Sequence, residues 1–279
     1  MRAAAVQLNS TEDKARNLRT ADRLTRAAVS DGAQLVVLPE KFNVLGTDDE
    51  VRRGAEKLEQ GPTIGWARAT ARELGIDLVL GSIAERREGR QKLSNTSIHV
   101  GPSGAVMAVY RKIHLFDVAV SGTEYRESDA QEPGGEIVLT ETGDGVPLGM
   151  SICYDLRFPE LYRILAVRGA RVLLVPAAFT SITGQAHWDI LCRARAIENQ
   201  TFVVAADQVG RHRPGNESFG GSLIVDPWGD VLARASDGEC FIAADLDLAR
   251  QDSIRGKLPS LANRMPATYI WPSQEPADQ

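Results

Sequence analysis

Cysteine is scarce in this sequence: Cys153, Cys192 and Cys240 are the three in 279 residues. An odd number at such wide spacing excludes a disulfide framework, and without a C-x-x-C pair there is no zinc-finger pattern. Histidine is nearly as rare. His99, His114, His187 and His212 are scattered, with no H-x-x-x-H spacing among them, so no metal site is expected. Positive charge is in deficit: 32 lysines and arginines against 37 acids leave a net charge of -5, which argues against a nucleic-acid partner. No apolar run approaches the roughly 20 residues of a membrane span. The opening segment, MRAAAVQLNSTED, lacks the apolar core of a secretory signal. A reducing, cytoplasmic setting is expected, in which a free thiol stays active.

What is present is an ordinary globular composition, 43% hydrophobic and 25% charged, in a chain long enough to bury a large core without staples. Short apolar runs predict buried strands at 3–8, 34–39, 77–82, 146–152, 171–176, 201–206 and 240–245. Strands are also predicted at 94–100 and 105–111, joined by the GPSG turn of 101–104, and at 220–225 and 231–235 around Asp226-Pro227-Trp228-Gly229. Helical spacing marks 13–31 (Leu18, Ala21, Leu24, Ala28), 64–74, 159–168 and 186–199. Ser10 or Thr11 is the expected cap of the first helix, with Glu12 and Asp13 in its first turn. The stretch 115–136 reads as a loop. Alternating strands and helices give an α/β class. The succession of strands in the second half suggests two packed sheets with helices outside, a four-layer αββα sandwich. No repeat, low-complexity segment or linker divides the chain, so residues 1–270 are expected to be a single domain.

Ligands of open α/β folds bind beyond the carboxyl ends of strands, and three such ends carry reactive side chains. Glu40 follows LVVLP, Lys112 follows AVMAVYR, and Cys153 follows VPLGMSI. Cys153 stands at a strand-to-helix turn, where a nucleophile is exposed and backbone N–H groups converge; the Tyr154 amide is a candidate oxyanion donor. Position alone leaves Cys153 between a nucleophile and a small buried apolar residue. Cys192 and Cys240 read as core packing. Glu40 is either a surface carboxylate or a partly buried general base. Lys112 is either one of a solvated Arg111-Lys112 pair or the charge that favours a thiolate and steadies developing negative charge.

Six blocks in order raise those residues above their alternatives: LVVLPEKF (35–42), YRKIHLFD (110–117), SICYDLRFPELYR (151–163), PAAFTSITGQAHW (176–188), RARAIENQ (193–200) and DPWGDVLA (226–233). Together they resemble the nitrilase superfamily, the carbon–nitrogen hydrolases. The resemblance implies the αββα sandwich, a dimer joined through helical faces, and a catalytic set matched here by Glu40, Lys112 and Cys153. It also implies a further glutamate in the loop after the lysine. Glu127 of Tyr125-Arg126-Glu127-Ser128 is the match, with Glu124 three residues upstream as the alternative. The SITGQAHW, LCRARAIE and Gly210-Arg211-His212 blocks resemble the deaminated-glutathione amidase branch, with the omega-amidases beside it.

The expected chemistry is cleavage of a carbon–nitrogen bond in a small 2-oxo-acid amide through a Cys153 acyl-enzyme, with no metal or organic cofactor. An omega-amidase acting on 2-oxoglutaramate, an N-carbamoyl-amine or aliphatic amidase, and a non-catalytic interaction protein on the same scaffold are the competing readings. Phe116, Ala177, Phe179, Thr183, His187 and Trp188 are the pocket candidates. Arg157 and Arg211 are candidate partners of a substrate carboxylate, although Arg157 could equally serve Asp155 or Glu160. The loops at 118–136 and Arg213-Pro214-Gly215-Asn216 look individual to this chain. The tail 258–279, rich in Leu, Met, Tyr, Ile and Trp, is expected to pack on the domain or across a homodimer.

Overall fold

The computed structural model describes residues 1–120, 122–213 and 216–269. Two six-stranded sheets carry the architecture of the described chain. The first contains β1 (Arg2–Gln7), β2 (Leu35–Val37), β3 (Asp77–Glu85), β4 (Ser94–Val100), β5 (Val106–Arg111) and β16 (Cys240–Asp245), in the order β16-β1-β2-β3-β4-β5. The second contains β8 (Leu139–Glu141), β9 (Pro147–Met150), β10 (Val172–Ala177), β11 (Phe202–Asp207), β14 (Leu223–Val225) and β15 (Val231–Arg234), in the order β15-β14-β11-β10-β9-β8. Parallel pairing runs through β1-β2-β3 and through β9-β10-β11, with antiparallel strands outside. Two hairpins stand apart: β6 (Asp117–Val120) with β7 (Thr123–Arg126), and β12 (Val209–Arg213) with β13 (Asn216–Phe219).

Side-chain alternation sorts the layers. Ala3 and Ala5 of β1 share a core with Leu148, Leu174 and Val204 of the second sheet. Ala4 and Val6 point the other way, to Ala21, Leu24 and Ala28 of α1 (Lys14–Ser30) and Ile64, Ala67 and Ala71 of α3 (Pro62–Leu74). Beyond the second sheet, α5 (Pro159–Val167) and α6 (Ser181–Asn199) contribute Tyr162, Leu165, Trp188, Cys192 and Ala196. The order is helix, sheet, sheet, helix, the four-layer sandwich. Each Val or Leu fully buried here contributes about 1.5–3 kcal/mol. Three further helices are α2 (Asp48–Gly54), α4 (Glu127–Ala130) and α7 (Leu248–Lys257). Among the described residues no helix is long and apolar enough to cross a membrane.

Local differences from the sequence expectation have physical causes. The first helix is capped by Asp13, whose carboxylate accepts from the Arg16 amide at 3.0 Å. Ser10 is instead spent on the Phe42 carbonyl at 2.8 Å, and the Thr11 hydroxyl on the Asp13 amide at 3.2 Å. The stretch 115–136 contains the β6-β7 hairpin and α4 rather than an open loop. Leu258, Met265 and Tyr269 are exposed in the single chain. The remainder of the tail, 270–279, and Pro214-Gly215 lie outside the described residues.

Candidate active site

The parallel strands β2 and β10, with β5 and β9, deliver their following residues to one cavity of about 180 Å³. Glu40, Lys112, Glu127 and Cys153 all line it. Beyond β2, Leu38 and Pro39 are followed by Glu40, whose side chain is 3% exposed. Its Oε1 accepts from Lys112 Nζ at 3.1 Å and from Asn95 Nδ2 at 2.7 Å, and Oε2 from the Ala178 amide at 2.9 Å. Lys112, 2% exposed, also donates to Glu127 Oε2 at 2.8 Å. Glu127 accepts in addition from the Phe116 amide at 2.9 Å and lies 3.3 Å from Lys41 Nζ. Glu124 is on the surface, paired with Arg126 at 2.5 Å. The glutamate brought to the lysine is therefore Glu127.

Cys153 opens a 3-10 turn, Cys153–Arg157, directly after β9 and Ser151-Ile152. Its φ of 48° is left-handed, a conformation L side chains rarely adopt and one concentrated at functional sites. Asp155 holds the turn: Oδ2 accepts from the Ile152 amide at 2.8 Å and the Tyr110 hydroxyl at 2.6 Å. Oδ1 accepts from the His114 amide at 3.2 Å and lies 2.7 Å from His114 Nδ1. One buried carboxylate thus ties the cysteine turn to the strand end that carries Lys112.

The charges settle together. Burial works against the Lys112 ammonium, but Glu127, Glu40 and the thiol outweigh it and hold it well above its usual range. Burial also disfavours the Glu127 anion, yet Lys112 and Lys41 pull that carboxyl well below the usual carboxylate range. Burial and the Glu40 charge push the Cys153 thiol well above its ordinary value, against Lys112 and the Ala178 N–H. These directions favour a neutral Cys153 thiol beside the Lys112 ammonium and the Glu127 carboxylate. No group of three or more metal-ligating side chains occurs among the described residues.

Phe116, Tyr154, Phe179 and Thr183 line the cavity, as does Ala178 where Ala177 was expected. Ala177 is fully buried: as the last residue of β10 it points into the core, and its successor turns toward the cavity. Trp188 is also fully buried, its ring 5.2 Å from that of Phe179 and its indole N–H on the Gly221 carbonyl at 2.9 Å. His187 is on the exposed face of α6, 3.3 Å from Arg157 Nη1. The Arg157 guanidinium lies over the rings of Tyr154 and Phe179, at 5.9 and 5.2 Å from their centroids. Arg211 is exposed on β12, away from the cavity lining.

Sequence reasoning missed Lys41, Asn95 and Arg126. Asn95 bridges both glutamates, at 2.7 Å to Glu40 and 3.3 Å to Glu127. Its signal was available: β4 begins Ser94-Asn95-Thr96-Ser97, four polar residues in a strand buried throughout, and buried polar side chains require partners.

Residues 2–255 match the family described as carbon–nitrogen hydrolase. The deaminated glutathione amidase of Bos taurus is 42% identical over 271 residues, covering 95% of this chain and 82% of its own. The omega-amidase of Danio rerio is 38% identical over 269 residues, 96% of each chain. The solved NitFhit protein of C. elegans superposes with a TM-score of 0.89 at 35% identity, over 96% of this chain and 66% of its own. Amide hydrolysis is the activity these matches support, at carbon–nitrogen bonds other than peptide bonds. The chain belongs to the carbon–nitrogen hydrolase family.

Proposed function

We propose that this enzyme hydrolyses the amide of a small 2-oxo acid, of the deaminated-glutathione type, through an acyl intermediate on Cys153. The observation that carries the reading is the convergence of Cys153, Glu40 and the buried Lys112–Glu127 pair on one small cavity. The thiol is protonated at rest, so Glu40 removes its proton as the sulfur attacks the amide carbonyl. The carbon–oxygen π electrons move to oxygen, and the oxyanion is held by Lys112 and the Tyr154 N–H. Glu40 returns the proton to the departing nitrogen, and ammonia leaves from a primary amide. Water, deprotonated by Glu40, then attacks the thioester and regenerates the thiol. Glu127 neutralises Lys112 and fixes its direction, leaving Glu40 free to shuttle the proton. Every proton transfer is between groups of this chain, substrate and water, so the cycle balances without a metal or cofactor.

A panel of amides with ammonia detection tests the reading: deaminated glutathione, 2-oxoglutaramate, N-carbamoyl amino acids and simple aliphatic amides. Turnover of the first two in preference to the rest supports it. Cys153→Ala should abolish that turnover; normal activity in the variant would sink the assignment. An omega-amidase preference for 2-oxoglutaramate is the second reading, favoured by the relative named for that activity. We also propose a homodimer that covers the exposed apolar side chains of α5, α6 and the tail. The three unpaired cysteines fit a cytoplasmic setting.

A further inference from the structure

The charged groups lining the cavity are unequal in number: Lys41, Lys112 and Arg126 against Glu40 and Glu127, beside a protonated thiol. Lys112 is consumed by both glutamates. Lys41 and Arg126 are a different kind of cation, reached from solvent, with side chains 25% and 62% exposed. Each is the chain neighbour of one glutamate, Lys41 of Glu40 and Arg126 of Glu127.

Consecutive residues of extended chain point to opposite faces. Lys41 escapes that rule because its φ is 54°, left-handed, with its amide held on Ser82 Oγ at 2.9 Å. Glu40 and Lys41 can therefore both face the cavity. A strained conformation maintained at a lysine calls for a reason of this kind. Lys41 already has a partner, but Glu127 is 3.3 Å away and takes its shorter contacts from Lys112 and the Phe116 amide. The Arg126 partner is Glu124, exposed to nearly the same extent, and an exposed pair of this kind is weak and readily exchanged. The remaining walls carry no charge: Leu45, Val51, Phe116 and Phe179 are apolar, and Tyr125 and Tyr154 offer only neutral donors. Arg157 is engaged over two rings, and Arg211 lies away from the lining.

We infer that Lys41 and Arg126 receive a carboxylate of the substrate at the mouth of the cavity and so set a preference for anionic amides. This rests on the amidase reading of the site and adds the substrate's charge and the residues that select it. Binding exchanges the weak Arg126–Glu124 pair for a pair with substrate, while Lys41 supplies the fixed charge beneath.

Two experiments on Lys41→Gln, Arg126→Gln and Arg126→Lys separate this inference from the amidase reading. The first compares alkylation of Cys153 by iodoacetate and iodoacetamide, reagents of similar size that differ in charge, followed on the Cys153 peptide by mass spectrometry. The iodoacetate-to-iodoacetamide rate ratio should fall about tenfold in each glutamine variant, as expected for loss of one charge-assisted contact, and be retained in Arg126→Lys. An unchanged ratio in both glutamine variants overturns the inference, whether or not a physiological amide has been found. The second measures KM and kcat of Arg126→Gln, whose side chain touches none of the catalytic groups, for 2-oxoglutaramate and an uncharged aliphatic amide. A rise in KM confined to the anionic amide, with kcat preserved, supports the inference; equal loss on both substrates shows a merely structural role and overturns it. Failure of wild type to hydrolyse any 2-oxo-acid amide counts against the proposed substrate, and the alkylation ratio still decides the charge pair.

Discussion

At Cys153 two opposing fields meet. Burial and Glu40 raise the thiol, while Lys112 and the Ala178 N–H lower it, and the raising influences win. In the proposed cycle Glu40 must therefore take the thiol proton for the sulfur to attack. Removing the Glu40 charge leaves Lys112 unopposed at the sulfur. Glu40→Gln should therefore move the pH profile of Cys153 alkylation to lower pH while reducing amide turnover by about 100-fold or more, the usual worth of a positioned general base. Alkylation rates across pH on the Cys153 peptide, with ammonia release measured in parallel, check both halves. A profile unmoved by the substitution would show that Glu40 does not face the thiol. Cys192, fully buried on α6, is raised by burial and by Asp207 and Asp189 against Arg195 and Arg234, but it does not line the cavity, so the two thiols differ in access despite their shared lack of a disulfide.

Elements place these residues, and the sequence reveals elements better than it reveals the turns between them. Apolar runs ending in Glu40, Lys112 and Cys153 were legible because buried strands need only length and composition to be seen. The neighbours were not: whether Lys41 shares a cavity with Glu40 depends on one backbone angle, and whether Asn95 meets both glutamates depends on register with β5. Helix α6 begins at Ser181, five residues before its pattern does. Its first turn, Ser181-Ile182-Thr183-Gly184, has poor helix propensity, and tertiary packing overrides it: Gly184 is pressed on Phe219, where an added Cβ would lie 2.3 Å from that side chain. A closer approach fixes the segment leading to Glu40. A Cβ on Gly81 of β3 would lie 2.0 Å from the Pro39 carbonyl and 2.2 Å from that of Leu38. Backbone on both sides cannot yield without moving Glu40. Gly81→Ala should cost about 1–3 kcal/mol of stability and, through displacement of Glu40, about 100-fold in kcat. Gly65→Ala, on a helix face with nothing within 4 Å, should by contrast raise stability by about 0.5–1 kcal/mol with kcat unchanged. Thermal melts and steady-state kinetics on the two variants decide whether the close approach matters as described.

Among the described residues, one outer helical layer leaves a row of apolar side chains exposed to water. Ile164 and Val167 of α5, and Ile182, Ile190 and Ile197 of α6, are exposed, and Ile190 is 67% so. Trp228 and Leu232 continue the surface, because the turn at Gly229 is packed against Ile197 and held by Arg193. Leu258, Met265 and Tyr269 extend it along the tail, with Tyr269 within electrostatic range of Arg163 of α5. Scattered exposed apolar side chains need no explanation, but a run of them over two packed helices, a turn and the tail marks a surface built to be covered. The opposite layer, α1 and α3, shows nothing comparable: its apolar residues are turned into the core and its face carries ion pairs such as Arg26–Glu73. The homodimer proposed above would cover this surface with a second copy of the chain, and a charge at the centre of the patch should oppose it because a buried, unpaired carboxylate costs several kcal/mol. Ile190→Asp should therefore convert a dimer to a monomer in light scattering, with the fold kept, since the side chain is exposed in the single chain. A matched substitution on the other layer, Arg26→Asp, should leave the mass unchanged. Wild type that runs as a monomer at micromolar concentration would remove the homodimer and leave the patch for another partner.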